Sequence, residues 1–176
     1  LINSGIGLTD NQNAGFALCT PEAPGISLDR PGLWKYSGYF IPREPNVFVN
    51  LFNNQWSTNF TEWIEGSWSA KMYLWSFADY KNEQSLITPS EEFRSPLKAT
   101  MASGKPGTLP VYREGIRLSK RGVFVSSFGP NVFGSGTVLR LWEQAGKSGM
   151  CRVTLPSGMT YTTAVPVNLR GEKTGK

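Results

Sequence analysis

Apolar, β-branched and aromatic residues gather in short runs along this chain, and each run is closed by Pro, Gly or Asn. Such runs lie at Gly15 to Cys19, around Trp34 to Ile41, from Val47 to Asn53 and from Ser67 to Phe77. Their length and punctuation predict β-strands. In the last run Trp68, Ala70, Met72 and Leu74 alternate with Ser69, Lys71, Tyr73 and Trp75. One face is then apolar and suited to burial in a two-layer sheet, and the other is mixed and carries two large rings. Thr88-Pro89-Ser90-Glu91 sets a capping hydroxyl, a proline at the first helical position and a glutamate three residues on. That spacing predicts a short helix ended before Pro96, the one helix expected here.

From Thr100 to Thr108 the chain turns to small residues, Gly and Pro without periodicity, centred on Ser103 to Gly107. This is the expected linker, with one unit at residues 1–102 and a second at 108–176. Beyond it, strands are predicted near Ile116 to Leu118, Gly122 to Phe128, Thr137 to Glu143, Met150 to Leu155 and Thr162 to Leu169. Five closely spaced strands predict a small antiparallel, Ig-like β-sandwich. Neither half has the strand–helix–strand rhythm of a parallel sheet, so the fold class is all-β.

The composition agrees. In 176 residues, 39% hydrophobic and 18% charged, there are 19 Gly and 12 Pro, which suits many short extended segments joined by tight turns. No run approaches transmembrane length, so a soluble protein is expected. The chain opens on Leu1 and carries no charged-then-apolar leader, which predicts a piece of a longer polypeptide and leaves the compartment open. Eighteen Lys and Arg against 13 Asp and Glu give +5, but the basic residues are dispersed. They concentrate only at Ser119-Lys120-Arg121 and from Arg170 to Lys176, as turn and terminus chemistry, so neither nucleic acid nor membrane is an expected partner. Cys19 and Cys151 are expected to be free thiols.

The chain has no His. That removes Ser–His and Cys–His nucleophile chemistry and the commonest transition-metal ligand. Asp10, Asp29, Asp79 and the Glu residues show no metal-loop spacing, so no catalytic residue, no metal ligand and no cofactor is expected within this chain. Glu62 and Glu65 flank Trp63 and are read as ordinary solvated carboxylates, not as a glycosidase pair set roughly 5 to 10 Å apart. Arg140 and Trp142 share one strand face and Glu143 takes the other, which is read as packing. The triplet Asn59-Phe60-Thr61 is assigned no role.

The segment that does suggest a ligand is Asn53-Asn54-Gln55-Trp56-Ser57-Thr58-Asn59-Phe60. Apolar sugar faces stack on indoles, while sugar hydroxyls need donors and acceptors of both senses, which amides and hydroxyls supply. Most of the six tryptophans are expected in the core; Trp56, polar on both sides, is the expected exception. The same residue types also serve as turn-capping amides beside core rings; Asn53, Asn54, Trp56, Thr58 and Asn59 are the candidate substrate-binding residues by their place in a family resemblance, with carbohydrate as the partner.

This segment with Trp63-Ile64-Glu65-Gly66-Ser67-Trp68, and Gly136-Thr137-Val138-Leu139-Arg140-Leu141-Trp142-Glu143 with Gly146, resemble the C-terminal β region of family 38 glycoside hydrolases, the α-mannosidase-like enzymes, and bacterial relatives. The first match covers about residues 47 to 77 and the second most of residues 111 to 172. The resemblance implies part of a β super-sandwich followed by a small terminal sandwich whose last strand is Ala164 to Leu169. In that family the nucleophile, the acid/base residue and the zinc ligands belong to an N-terminal α/β domain that nothing in this chain matches. Zinc is therefore expected only there. The implied role is non-catalytic: to pack on the N-terminal catalytic domain of the same polypeptide and to lend the Asn53 to Asn59 loop to its sugar cleft. Two further readings remain open, an independent carbohydrate-binding module and a purely structural interaction domain.

Overall fold

The computed structural model describes residues 1–32, 38–52, 63–101, 104, 107–108 and 110–174. These form a mainly β protein with one short α-helix, divided into two compact units, Leu1–Leu97 and Lys98–Lys176.

In the first unit, β1 (Ile6–Thr9), β2 (Gly15–Cys19) and β5 (Tyr73–Phe77) make an antiparallel sheet with β2 in the centre. The β1–β2 turn is built by Asp10, whose carboxylate accepts the backbone N–H groups of Gln12 and Ala14 at 2.8 and 2.9 Å, with Asn13 at φ 64°. β1 escapes the sequence pattern because Gly5 and Gly7 dilute its alternation. Gly15 is required: a Cβ there would run into the Leu8 carbonyl of the neighbouring strand.

The register puts Gly15, Ala17 and Cys19 on the same face as their partners Phe77, Trp75 and Tyr73. Ala17 and Cys19 are fully buried. Across this face lie a wide π-helical turn (Asn82–Ile87) and helix α1 (Thr88–Arg94). Phe93 of α1 stacks on Tyr73 with centroids 4.1 Å apart and planes at 12°, and lies 5.3 Å from the Trp75 ring. The Trp75 indole N–H donates to the Ser85 carbonyl at 2.8 Å.

Two expectations are corrected here. The buried face of β5 is the one with the rings, not the aliphatic one: Leu74 is 69% exposed, and Met72 and Trp68 are exposed too. The helix supplies an aromatic partner and a carbonyl acceptor that only Tyr73 and Trp75 can use. Thr88 is also not a cap. The chain is already helical from Asn82, so Thr88 sits inside the helical segment and its hydroxyl donates back to the Glu83 carbonyl. The helix does end at Ser95, before Pro96, whose ring disfavours helical backbone at the preceding residue.

A second pair, β3 (Ile26–Leu28) and β4 (Val47–Val49), is antiparallel. Its Ser27 is buried, donates to the Gly32 carbonyl at 2.7 Å and accepts from Asn50 Nδ2 at 3.3 Å.

In the second unit, β7 (Val123–Pro130) and β8 (Thr137–Glu143) form a hairpin with an irregularity at Ser126. β6 (Arg117–Leu118) pairs with β9 (Val153–Thr154). The strand expected over Thr162 to Leu169 is reduced to one bridge, Val167 with Lys173. Turn chemistry prevails there, because the Asn168 side chain accepts the N–H groups of Arg170 and Glu172 at 2.9 and 3.1 Å and folds the segment back on itself.

Candidate functional site

Asn53, Asn54, Trp56, Thr58 and Asn59 lie outside the described residues, as do Trp34 and Glu62. The flanks of their segment are described. The β3–β4 hairpin delivers the chain to it: the Asn50 N–H donates to the Gly25 carbonyl at 2.8 Å, and the Asn50 side chain is tied to Ser27. Next come Leu51 and Phe52, both exposed; on the far flank Trp63 and Trp68 are 69% and 68% exposed. With Trp142 also largely exposed, the expectation that most tryptophans are core is overturned.

At the other end of the same hairpin is an open cleft of about 470 Å³ lined by Asp29, Arg30, Tyr39, Phe40, Ile41 and Arg43. Asp29 sits at φ 72°, its carboxylate accepts the Glu44 N–H at 3.2 Å, and its carbonyl accepts from Asn46 Nδ2 at 3.4 Å. A carboxylate and two guanidinium groups beside an exposed phenol can hold a polar ligand. The only sequence signal for it was the Asp29-Arg30-Pro31-Gly32 turn.

In the second unit, Arg140 Nη2 donates to the Leu169 carbonyl at 2.6 Å, and Asn131 Nδ2 donates to the Gly171 carbonyl at 3.0 Å. Two side chains of the β7–β8 hairpin thus hold the 168–172 turn against it. Between them runs a groove of about 370 Å³ whose lining includes Ser126, Val138, Trp142 and Leu169. Glu143 is spent locally, because its carboxylate accepts the N–H groups of Ala145, Gly146 and Lys147 at 3.0 to 3.2 Å.

Catalytic chemistry finds few components. Among the described residues no group of three or more His, Cys, Asp or Glu could hold a metal ion. Cys19 and Cys151 are both free. Burial pushes the Cys19 thiol above its ordinary pKa, against the opposing pull of Arg94, so it stays protonated and poorly nucleophilic at neutral pH. No helix among the described residues is long and apolar enough to cross a membrane. No protein-family model, no curated protein and no solved structure matches the chain.

Proposed function

We propose that this chain is the non-catalytic C-terminal β region of a glycoside hydrolase resembling the α-mannosidase-like family 38 enzymes. Residues 1–102 are the end of a β super-sandwich and 108–176 a small terminal sandwich. They support the catalytic domain of the same polypeptide, the place for zinc and for the reacting carboxylates, and wall part of its sugar cleft with Asn53, Asn54, Trp56, Thr58 and Asn59.

One observation carries this reading, the second face of the β1–β2–β5 sheet. Register places Ile6, Leu8, Phe16, Leu18 and Leu74 together on the face opposite the helix. Phe16 is 40% and Leu74 69% exposed. A sheet that is apolar on both faces is a layer between two others. Covering that face would add on the order of 1.5 to 3 kcal/mol for each large side chain fully withdrawn from water. Among the described residues of the first unit this face keeps Phe16 and Leu74 exposed, and in this reading a catalytic body on the same polypeptide covers it. The exposed Trp63 and Trp68 favour a second reading, an independent carbohydrate-binding module that uses them as a stacking platform.

Kinetics separate the two. In the longer polypeptide Trp56→Ala should lower kcat/KM by about 5- to 150-fold, as loss of roughly 1 to 3 kcal/mol of transition-state binding requires, with the melting curve unchanged. Millimolar binding of free mannosides by the chain alone, lost in a Trp63→Ala, Trp68→Ala variant, establishes the module instead.

A further inference from the structure

The two units carry opposite charge. Twelve of the 18 Lys and Arg but only three of the 13 Asp and Glu fall in residues 98–176, which leaves that unit at +9 and residues 1–97 at −4. Of the three acids of the second unit, Glu172 accepts from Asn168 Nδ2 at 2.8 Å and Glu114 from the Tyr112 hydroxyl at 3.3 Å, while Glu143 accepts the Lys147 N–H at 3.2 Å and is the one carboxylate at the edge of the cations. Cations that are dispersed in sequence then converge in space. The Ser119 N–H donates to the Arg152 carbonyl at 3.0 Å and the Arg152 N–H to Ser119 Oγ at 2.8 Å, so Arg152 lies beside Ser119 on the β6–β9 ribbon. Arg117 opens β6, two residues before Ser119. Lys120 Nζ donates to the Lys147 carbonyl, drawing the 144–149 turn to this end, with Arg121 next in the chain.

Arg117, Arg121 and Arg152 are exposed, and no carboxylate is paired with them among the described residues. Like charges on neighbouring residues of one surface repel, and an anion set among them relieves the repulsion. We propose that Arg117, Lys120, Arg121, Lys147 and Arg152 form a binding surface for an acidic polysaccharide and engage its carboxylate or sulfate groups. Guanidinium groups suit this task because their planar forks take two oxygens of one carboxylate or sulfate at once. The choice of a polysaccharide among polyanions rests on the sugar-processing role proposed above; the cluster itself does not.

The test measures binding of the full chain, by titration at several NaCl concentrations, to polygalacturonate, dextran sulfate, neutral dextran and duplex DNA. One or both acidic polysaccharides should bind, and bind less tightly as salt rises, while neutral dextran does not. The triple variant Arg117→Ala, Arg121→Ala, Arg152→Ala should lose at least about tenfold in affinity with an unchanged melting curve, whereas Arg170→Ala with Lys173→Ala should lose less than about twofold. Equal binding by the triple variant, or no binding to either acidic polysaccharide, overturns the proposal. Tighter binding to duplex DNA with the same residue dependence replaces the polysaccharide by nucleic acid. The assay needs neither the longer polypeptide nor turnover, so its failure is separate from that of the Trp56 test.

Discussion

Truncating Phe93 to alanine should destabilise the first unit far more than truncating Leu74, although a reading of strand alternation alone predicts the reverse. Phe93 makes two ring contacts, the 4.1 Å stack on Tyr73 and the 5.3 Å tilted contact with Trp75. Each such pair contributes about 0.5 to 1.5 kcal/mol beyond area burial. Returning the half-buried Phe93 ring to water costs about 0.8 to 1.5 kcal/mol more, half the value for a fully buried one. The sum is about 2 to 4 kcal/mol. In a unit of this size 1 kcal/mol shifts Tm by roughly 4 to 8 °C, so Phe93→Ala should lower it by about 10 °C or more. Leu74, 69% exposed, should cost less than about 0.5 kcal/mol when replaced by Ala. Thermal melts followed by near-UV circular dichroism, which reports the fixed environment of Tyr73 and Trp75, measure both. Equal losses, or a greater loss for Leu74→Ala, would mean that the helix does not cover the ring face and that the sheet packs the other way.

Other outcomes follow from single contacts. Gly15→Ala drives a methyl group into the Leu8 carbonyl and should cost about 1 to 3 kcal/mol in urea unfolding, the range for overpacking a filled site. Arg140→Ala frees the 168–172 turn; stability should fall by about 1 kcal/mol, and the Val167–Lys173 bridge should lose protection in hydrogen exchange, with Arg140→Lys recovering only part of it. The raised Cys19 pKa carries a sign: above the ordinary thiol pKa the unfolded chain loses a proton that the folded chain keeps. Stability should therefore fall as pH rises from about 9 toward the raised value, be unaffected by this group below it, and lose that slope in Cys19→Ala. The chain alone should not release aryl alcohol from aryl mannosides above the buffer blank, and turnover abolished by Glu65→Gln would contradict the non-catalytic role proposed for it.

Strand positions were legible where apolar runs ended in strong breaks, as at Gly15–Cys19 and Thr137–Glu143. What local pattern could not show was which face a tertiary partner would choose. Tyr73 and Trp75 read as the mixed face of β5 until Phe93 and the Ser85 carbonyl, contributed from beyond residue 80, covered them. The start of the helix was misjudged for a related reason. A Thr-Pro pair normally marks a first turn, but the π-helical turn before it had already satisfied the backbone. At Thr162 to Leu169 the β-branched residues suggested a strand, and the side chain of Asn168 outcompeted the ladder. The proposed basic surface was invisible along the sequence because backbone pairing sets Arg152 beside Ser119, two residues from Arg117, and one lysine–carbonyl bond ties Lys120 to the turn at Lys147.

Maleimide labelling of Leu74→Cys in a Cys151→Ser background, where Cys19 stays buried, shows whether the open face of the β1–β2–β5 sheet is a covered layer in the proposed longer polypeptide. In the isolated chain the new thiol should react as a solvent-exposed cysteine. In the longer polypeptide its labelling should slow by at least about tenfold, because a packed layer admits the reagent only when it opens. Equal rates in the two would leave the face bare and contradict the account.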